Sequence, residues 1–326
     1  MWNINASKLI PPSLTRLAGC LALAILGSCA PSYTLVSHSE DRQILDETFP
    51  YRKWLREGHE PTTVVIGLHG FSGASIDYEN LAHYLMKEQP GSALYAYEVR
   101  GQGRDPKKER RGDIDDPANW SHDLLTFTRL IRQQHPKATV VWMGESMGGL
   151  ILAHTYREQI EAGSSPPCDA LAISSPVVKI RDDFPLWKKE LVRGISKLAP
   201  STRISLESLT GGEKVQMTED SFHSDQSETN SWHVETHTLR LLVTLGDMIE
   251  DMPECAETFQ SPTLVLHGGK DFFTTQDDVK SFMDRIPETT PEKRLYYPKG
   301  HHLLMYDHIK DDVITDIADW LESLNS

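Results

Sequence analysis

The sequence predicts an α/β fold: a mostly parallel central sheet with helices on both faces, interrupted by a helical insertion. Three observations carry this. Short β-branched apolar runs alternate with amphipathic helical stretches from residue 62 to residue 174, the pattern of a parallel sheet covered on both sides. One strand, Val140-Val-Trp-Met143, runs through Gly144-Glu145-Ser146-Met147-Gly148 directly into a buried-type helix, Leu150 to Tyr156. Strand texture returns late, at Pro262 to His267 and at Arg294 to Tyr297, after a segment with few strand signals.

Taken in order, residues 1–28 form a leader. Lys8 and Arg16 precede the uncharged run Leu17 to Gly27, which spans 11 residues, whereas a membrane-crossing helix needs about 20. The run ends in Leu26-Gly27-Ser28-Cys29, which resembles the lipobox of bacterial lipoproteins, so Cys29 is the expected lipidation site and the envelope membrane the expected location. The competing reading is an ordinary secretory signal or an uncleaved anchor. Residues 29–60 are polar and mixed, and are expected to comprise a tether and the entry segment of the body, a strand or short helix.

Thr62 to Leu68 reads as a strand buried on both faces, and His69-Gly70-Phe71-Ser72-Gly73 follows as a glycine-bearing turn. His69 is read as the residue that holds this turn. Asp77 to Gln89 has helical apolar spacing and stops before Pro90-Gly91; Ser92 to Val99 is the next strand, and Arg100-Gly101-Gln102-Gly103-Arg104-Asp105 its loop. The loop lacks the third glycine of a dinucleotide fingerprint, because Pro106 stands there, which excludes that cofactor reading. Asn119 to His135 places Trp120, Leu124, Phe127 and Ile131 on one helical face. Asp169 to Ser174 is another buried-type strand, ending at Ser175-Pro176. Residues 177–254 break the alternation and read as a mostly helical cap, with His233 to Met248 one of its helices. Residues 61–176 and 255–326 make the core, closed by a helix from Ile309 to Leu324.

Gly-x-Ser-x-Gly between strand and helix is the context of a nucleophile elbow. The turn is sterically tight and exposes the serine hydroxyl beside a helix N-terminus, which favours negative charge. A serine hydroxyl needs a base and a carboxylate to orient that base. Asp271 stands just past one strand in His267-Gly-Gly-Lys-Asp271, and the histidines just past the last strand in Gly300-His301-His302-Leu303-Leu304. Ser146, Asp271 and a histidine then lie in the chain order of an α/β-hydrolase, all at strand carboxyl ends. The backbone amides of Phe71 and Met147 are the expected oxyanion donors. Glu145 is assigned to the scaffold, and Asp307 to a supporting or surface role.

On His69-Gly70, Arg100-Gly-Gln-Gly103, Gly144-Glu-Ser-Met-Gly-Gly149, His267-Gly-x-x-Asp271 and His302-x-Leu304, the chain resembles the monoacylglycerol lipase and lysophospholipase-like, serine aminopeptidase S33-type branch of the α/β-hydrolases over residues 50–324. The resemblance selects His302 over His301 as the base. It also implies a single-acyl ester as substrate, no cofactor or metal, and a helical cap at 177–254. Phe184, Leu186, Trp187, Leu191 and Ile195 are the expected lining of an acyl channel. Glu98 and Asp105 depart from the branch, which has an aspartate and a serine at these places. Peptidase and thioesterase chemistry share the frame, and a silent binding module is the rival of another class.

The charge is consistent with this. Removal of the leader moves the net charge from −14 to −16, because Lys8 and Arg16 leave and no acid does. An acidic body argues against nucleic acid as a partner and against adhesion to anionic lipid through a basic patch. There is no Cys/His cluster with zinc spacing. Of the four cysteines only Cys168 and Cys255 lie in the body, as two thiols or one disulfide.

Overall fold

The computed structural model describes residues 36–37, 50–181, 186–225, 228 and 230–325; the leader, Cys29 and most of the tether lie outside the described residues. Among the described residues no helix is long and apolar enough to cross a membrane.

The sheet is built from β1 (Val36–Ser37), β2 (Pro50–Trp54), β3 (Thr63–Leu68), β4 (Ser92–Tyr97), β5 (Thr139–Glu145) and β6 (Ala170–Ser174), with β11 (Thr263–Gly268) and β12 (Glu292–Tyr297) following the insertion. Its order is β1-β2-β4-β3-β5-β6-β11-β12. From β4 to β12 every pairing is parallel, and β2 joins β4 antiparallel, opposing Tyr51 to Tyr97 and Trp54 to Leu94. The body therefore opens with β1 at the sheet edge and β2 beside it, β2 beginning at Pro50 inside the segment expected to hold the tether and the entry element.

Why these runs are strands is visible in their two faces. Val64, Ile66 and Leu68 of β3, Val140 and Trp142 of β5, and Leu171 and Ile173 of β6 point to one side. They pack there against α2 (Ala118–Gln134), α3 (Met147–Glu161) and the helix Gln276–Met283. Val65, Val141, Met143, Ala170 and Ala172 point to the other side, under α1 (Glu79–Glu88) and the C-terminal helix Lys310–Ser323. Strands of this kind must be apolar at every position, because alternation would put a polar residue under one helical layer.

The insertion is less helical than its composition suggests. Helix α4 (Leu186–Leu198) is followed by β7 (Arg203–Ile204), α5 (Leu206–Leu209), β8 (Gln216–Thr218), β9 (Ser221–Phe222), β10 (His237–Thr238), α6 (Leu239–Glu250) and α7 (Met252–Ala256). β7 pairs β10 and β8 pairs β9, both antiparallel. The helix expected from His233 starts instead at Leu239, because Thr238 caps it by accepting the Leu241 N–H at 3.2 Å. The cap is fastened to the core by ion pairs and hydrogen bonds: Asp113 binds the Arg240 guanidinium and the Thr238 hydroxyl, and His154 Nε2 donates to the Met248 carbonyl at 2.9 Å.

The strand order reverses at β3: the chain moves from β3 to β4 on one side, then crosses to β5 on the other. The carboxyl ends of β3 and β5 therefore diverge over a crevice, the place where open α/β sheets hold their sites. The close contact that builds this crevice is between α3 and β3. A Cβ at Gly148 would overlap the Leu68 carbonyl oxygen, and one at Gly144 would lie 2.5 Å from the Gly148 carbonyl.

Gly148→Ala is thus expected to force α3 off β3 and to cost on the order of 1–3 kcal/mol or more. Gly194→Ala, in α4 with nothing within 4 Å of the added carbon, should be neutral or stabilising by up to about 1 kcal/mol. Urea unfolding checks both, and an unchanged midpoint for Gly148→Ala would contradict the packing argument.

Candidate active site

β5 runs directly into Ser146, whose backbone sits at φ 52°, ψ −116°, a region that a serine occupies only under constraint. Its N–H donates to the Ser174 carbonyl at 3.0 Å, and its carbonyl accepts from Gly149 N at 2.8 Å as α3 begins. The turn is therefore held from both sides. Its hydroxyl oxygen lies 2.8 Å from His302 Nε2, and His302 Nδ1 lies 2.8 Å from Asp271 Oδ2. With Nδ1–H donating to the carboxylate, Nε2 is left as the acceptor that faces the serine. The other Asp271 oxygen accepts the Phe273 N–H at 2.8 Å, and the Phe273 ring stands edge-on to the imidazole with centroids 4.7 Å apart. Both His302 and the Asp271 side chain are closed off from solvent.

The structure thus brings Ser146, His302 and Asp271 together and turns His301 away. His301 is buried on the opposite side of its loop, where its N–H and its Nδ1 meet Asp307 at 2.7 and 3.0 Å. Asp307 is a buried anchor rather than a surface group: it also accepts the backbone N–H of Glu219 and His308 and faces the His308 ring. Those contacts hold its carboxyl below the usual carboxylate range against the cost of burial.

The turn after β3 borders Ser146. His69 is buried at its base with Nε2 accepting the Val99 N–H at 3.0 Å, so Nδ1 carries the proton and donates to the Gly70 carbonyl at 3.1 Å. That carbonyl belongs to the same planar peptide as the Phe71 N–H, so fixing one fixes the other. Phe71 and Met147 both line the cavity at Ser146. Ser72, at φ 60°, ties the turn outward: its N–H donates to Gln102 and its hydroxyl to the Val234 carbonyl of the cap. Glu98 and Asp105, the two departures from the resembling branch, are consumed inside the structure. Glu98 accepts from the Ser75 hydroxyl at 2.6 Å and from Arg104 N; Asp105 accepts from Gly101 N and pairs both oxygens with Arg110.

Several neighbours of the site carry no motif. Ser175, at φ 49°, donates its hydroxyl to the His302 carbonyl, 2.5 Å away. In the cap, His237 stacks on Phe71 with centroids 3.8 Å apart, and His223 and His233 lie beside it. Burial and mutual repulsion lower His233 to about 4 and His237 to about 3, so both rings are neutral at ordinary pH. The only signal for such residues in the sequence is a scatter of histidines through an insertion, which specifies no partner.

Above Ser146 a cavity of about 360 Å³ opens between sheet and cap, lined mainly by apolar side chains such as Leu150, Val177, Ile180, Val192, Leu242 and Ile249. Leu191 and Ile195, expected to line it, face outward instead, 51% and 42% exposed; Val192 and Arg193 of the same helix face in. Phe184 and the side chains of Leu186 and Trp187 lie outside the described residues. Cys168 and Cys255 are separate buried thiols, and burial pushes Cys255 up to about 12.

A parallel sheet with this elbow, and serine, acid and histidine in this order, defines an α/β-hydrolase of the serine type. The chain belongs to the family described as serine aminopeptidase, S33, whose sequence model matches residues 59–308. Its relatives include a monoacylglycerol lipase of Mycolicibacterium smegmatis, 25% identical over 81% of this chain and 89% of that protein, and a carboxylesterase of Bacillus subtilis, 22% identical over 80% and 93%. Among solved structures, a monoglyceride lipase from Saccharomyces cerevisiae superimposes with a TM-score of 0.70 at 18% identity, covering 90% of this chain and 95% of that one.

Glu145, next to the serine, is buried, and its Oε1 has no hydrogen-bond partner. Burial, reinforced by Asp77, raises its carboxyl from the usual 4.5 to about 8. The folded state therefore binds this proton more tightly than the unfolded chain does. Stability from this group is complete below about pH 4.5 and is lost as the pH rises toward 8. Glu145→Gln, which cannot ionise, should flatten the decline of the thermal midpoint between pH 5 and pH 9. Parallel curves for the two proteins would show that Glu145 titrates normally.

Proposed function

We propose that the protein hydrolyses carboxylic esters bearing a single fatty acyl chain, monoacylglycerols or lysophospholipids, through an acyl-enzyme on Ser146. The observation that carries this is the position of the Ser146 hydroxyl, 2.8 Å from His302 Nε2 on the floor of an apolar cavity. In this reading His302 takes the serine proton as Ser146 attacks the ester carbonyl, and Asp271 holds the imidazole in the required tautomer and offsets its positive charge. The Phe71 and Met147 amides receive the oxyanion. As the tetrahedral intermediate collapses, His302 returns the proton to the departing alcohol. Water then enters, is deprotonated by the same imidazole and releases the fatty acid.

The acyl chain is assigned to the cavity of about 360 Å³, within the size range of small-molecule pockets. The names of the similar proteins support an ester and not an amide, although the family description is that of an aminopeptidase. The intact Ser146–His302–Asp271 chain of hydrogen bonds argues against a silent binding module.

Ser146→Ala should abolish hydrolysis of a chromogenic ester, and His302→Ala should lower kcat by several orders of magnitude while His301→Ala retains far more activity. Narrowing the cavity with Val192→Phe should lower kcat/KM for long acyl esters and spare acetyl esters, since each bound methylene contributes at most about 0.8 kcal/mol. Equal losses at every length, or faster turnover of aminoacyl arylamides than of esters, would contradict the substrate assignment.

We also propose that Cys29 is acylated after removal of residues 1–28 and anchors the protein in the bacterial envelope. The motif Leu26-Gly27-Ser28-Cys29 supports it. Metabolic labelling with a fatty-acid probe should mark the wild type and not Cys29→Ser, which should accumulate as precursor; equal labelling of both would refute the anchor.

A further inference from the structure

The loop that carries His302 has a second cluster on its far side that ester hydrolysis does not use. Its centre is the buried Asp307 carboxylate, which faces His301 Nδ1 and His308 Nδ1, each at 3.0 Å, and accepts the backbone N–H groups of His301, His308 and Glu219 at 2.7, 2.9 and 2.8 Å. With Nδ1 of both rings committed to the carboxylate, Nε2 is the nitrogen that each presents outward. A carboxylate holding the rear nitrogen of a histidine is the arrangement that orients metal-binding imidazoles and raises their basicity. Glu219 completes the set from the cap hairpin: its Oε2 lies 3.6 Å from His301 Nε2, and one ligand atom each from Glu219, His301 and His308 lie within 4.8 Å of one another. Metal–ligand bonds of about 2.0–2.2 Å require the partly exposed Glu219 and His308 side chains to move in toward the buried His301 ring.

We infer that Glu219, His301 and His308 form a site for one divalent transition-metal ion of the zinc class, with Asp307 orienting the two imidazoles and water as the fourth ligand. Two nitrogens and one carboxylate suit zinc or cobalt and not calcium or magnesium, which take oxygen ligands. The ion joins two parts of the molecule. Glu219 lies in the turn between β8 and β9 of the cap, and His301 and His308 flank the loop of His302. The two are already in register, since Leu303 N donates to the Met217 carbonyl at 2.9 Å. Binding therefore clips the cap hairpin to the base-bearing loop. It does so without recruiting His302, whose nitrogens face Asp271 and Ser146.

The Lys270 ammonium, 3.0 Å from Glu219 Oε2, competes for the same carboxylate. Its side chain is about half exposed and can swing away, so the ion displaces it. The sequence alone gives no zinc-type spacing because the carboxylate comes from a segment distant in the chain from both histidines.

The test uses the full-length protein, purified, stripped with a chelator and titrated with Co(II) and then Zn(II). Saturable one-to-one Co(II) binding with a visible d–d spectrum of low-coordinate nitrogen and oxygen ligation is expected, with displacement by Zn(II). Glu219→Gln and His308→Ala should each weaken binding at least tenfold, Lys270→Met should tighten it several-fold, and His302→Ala should bind as wild type does. Zn(II) should raise the thermal midpoint of the wild type and not that of His308→Ala, and one equivalent should leave ester hydrolysis intact. Absence of Co(II) and Zn(II) binding would overturn the inference. So would affinity that survives both Glu219→Gln and His308→Ala, or that disappears in His302→Ala.

Discussion

Everything at the site depends on the close approach of α3 to β3 beneath Ser146. Because Gly148 lies against the Leu68 carbonyl and Gly144 against Gly148, the chain can reverse from strand to helix within one residue. That residue takes the strain, of order 1–3 kcal/mol. The Ser174 carbonyl and the first turn of α3 hold it there. A strained backbone fixed in this way projects the hydroxyl without relying on the side chain's own packing. Its position is set by the sheet, and the helix N-terminus behind it favours the charge that develops as an oxyanion forms.

The base and the acid sit on loops, and they are made rigid by being tied to one another and to β6. Lys270 N donates to the Gly300 carbonyl and Gly269 N to the Tyr297 carbonyl, so the loop after β11 leans on the loop after β12. The Ser175 hydroxyl reaches across to the His302 carbonyl, and Asp307 fixes the peptides of His301 and His308. The Ser175 and Asp307 side chains that make the latter contacts are themselves buried, where an unmade hydrogen bond costs about 1–3 kcal/mol. The loops therefore have few alternatives to the conformation that puts the imidazole between Ser146 and Asp271.

The parts of this arrangement that were legible in the sequence are those fixed by local periodicity or by chain order. Strands apolar on both faces announce themselves as β-branched runs, and Gly144, Ser146 and Gly148 between a strand and a helix leave one sterically sensible turn. The choice between His301 and His302 was not legible from the residues, because adjacent positions face opposite ways and only the fold says which way is inward. The same limit holds for α4. Leu191, Ile195 and Leu198 make an apolar stripe at helical spacing, but periodicity identifies a face and not what it meets, and these residues point to solvent while Val192 points to the cavity. Glu98 and Asp105 stand where the resembling branch has an aspartate and a serine. Both are loop anchors, which follows only from seeing Ser75, Arg104 and Arg110 brought to them.

The net charge is a second case in which a whole-chain property says little about the site. Several of the acids counted in it are buried and bound to backbone N–H groups or guanidinium groups, as Asp105, Asp123 and Asp307 are. Glu145 is held protonated near neutrality and carries little charge at all. The cavity, by contrast, counts Lys179, Arg181, Lys189 and Arg193 among its lining residues, and their partners include Asp278, the Phe272 carbonyl and the acids of α6. An acidic protein thus keeps a set of paired cations among the residues that line its apolar cavity. Field strength there is set by these local pairs, because charges more than about 8–10 Å away are screened at physiological salt. The net charge of the whole chain and the local charge beside the cavity are therefore separate quantities, decided at different distances.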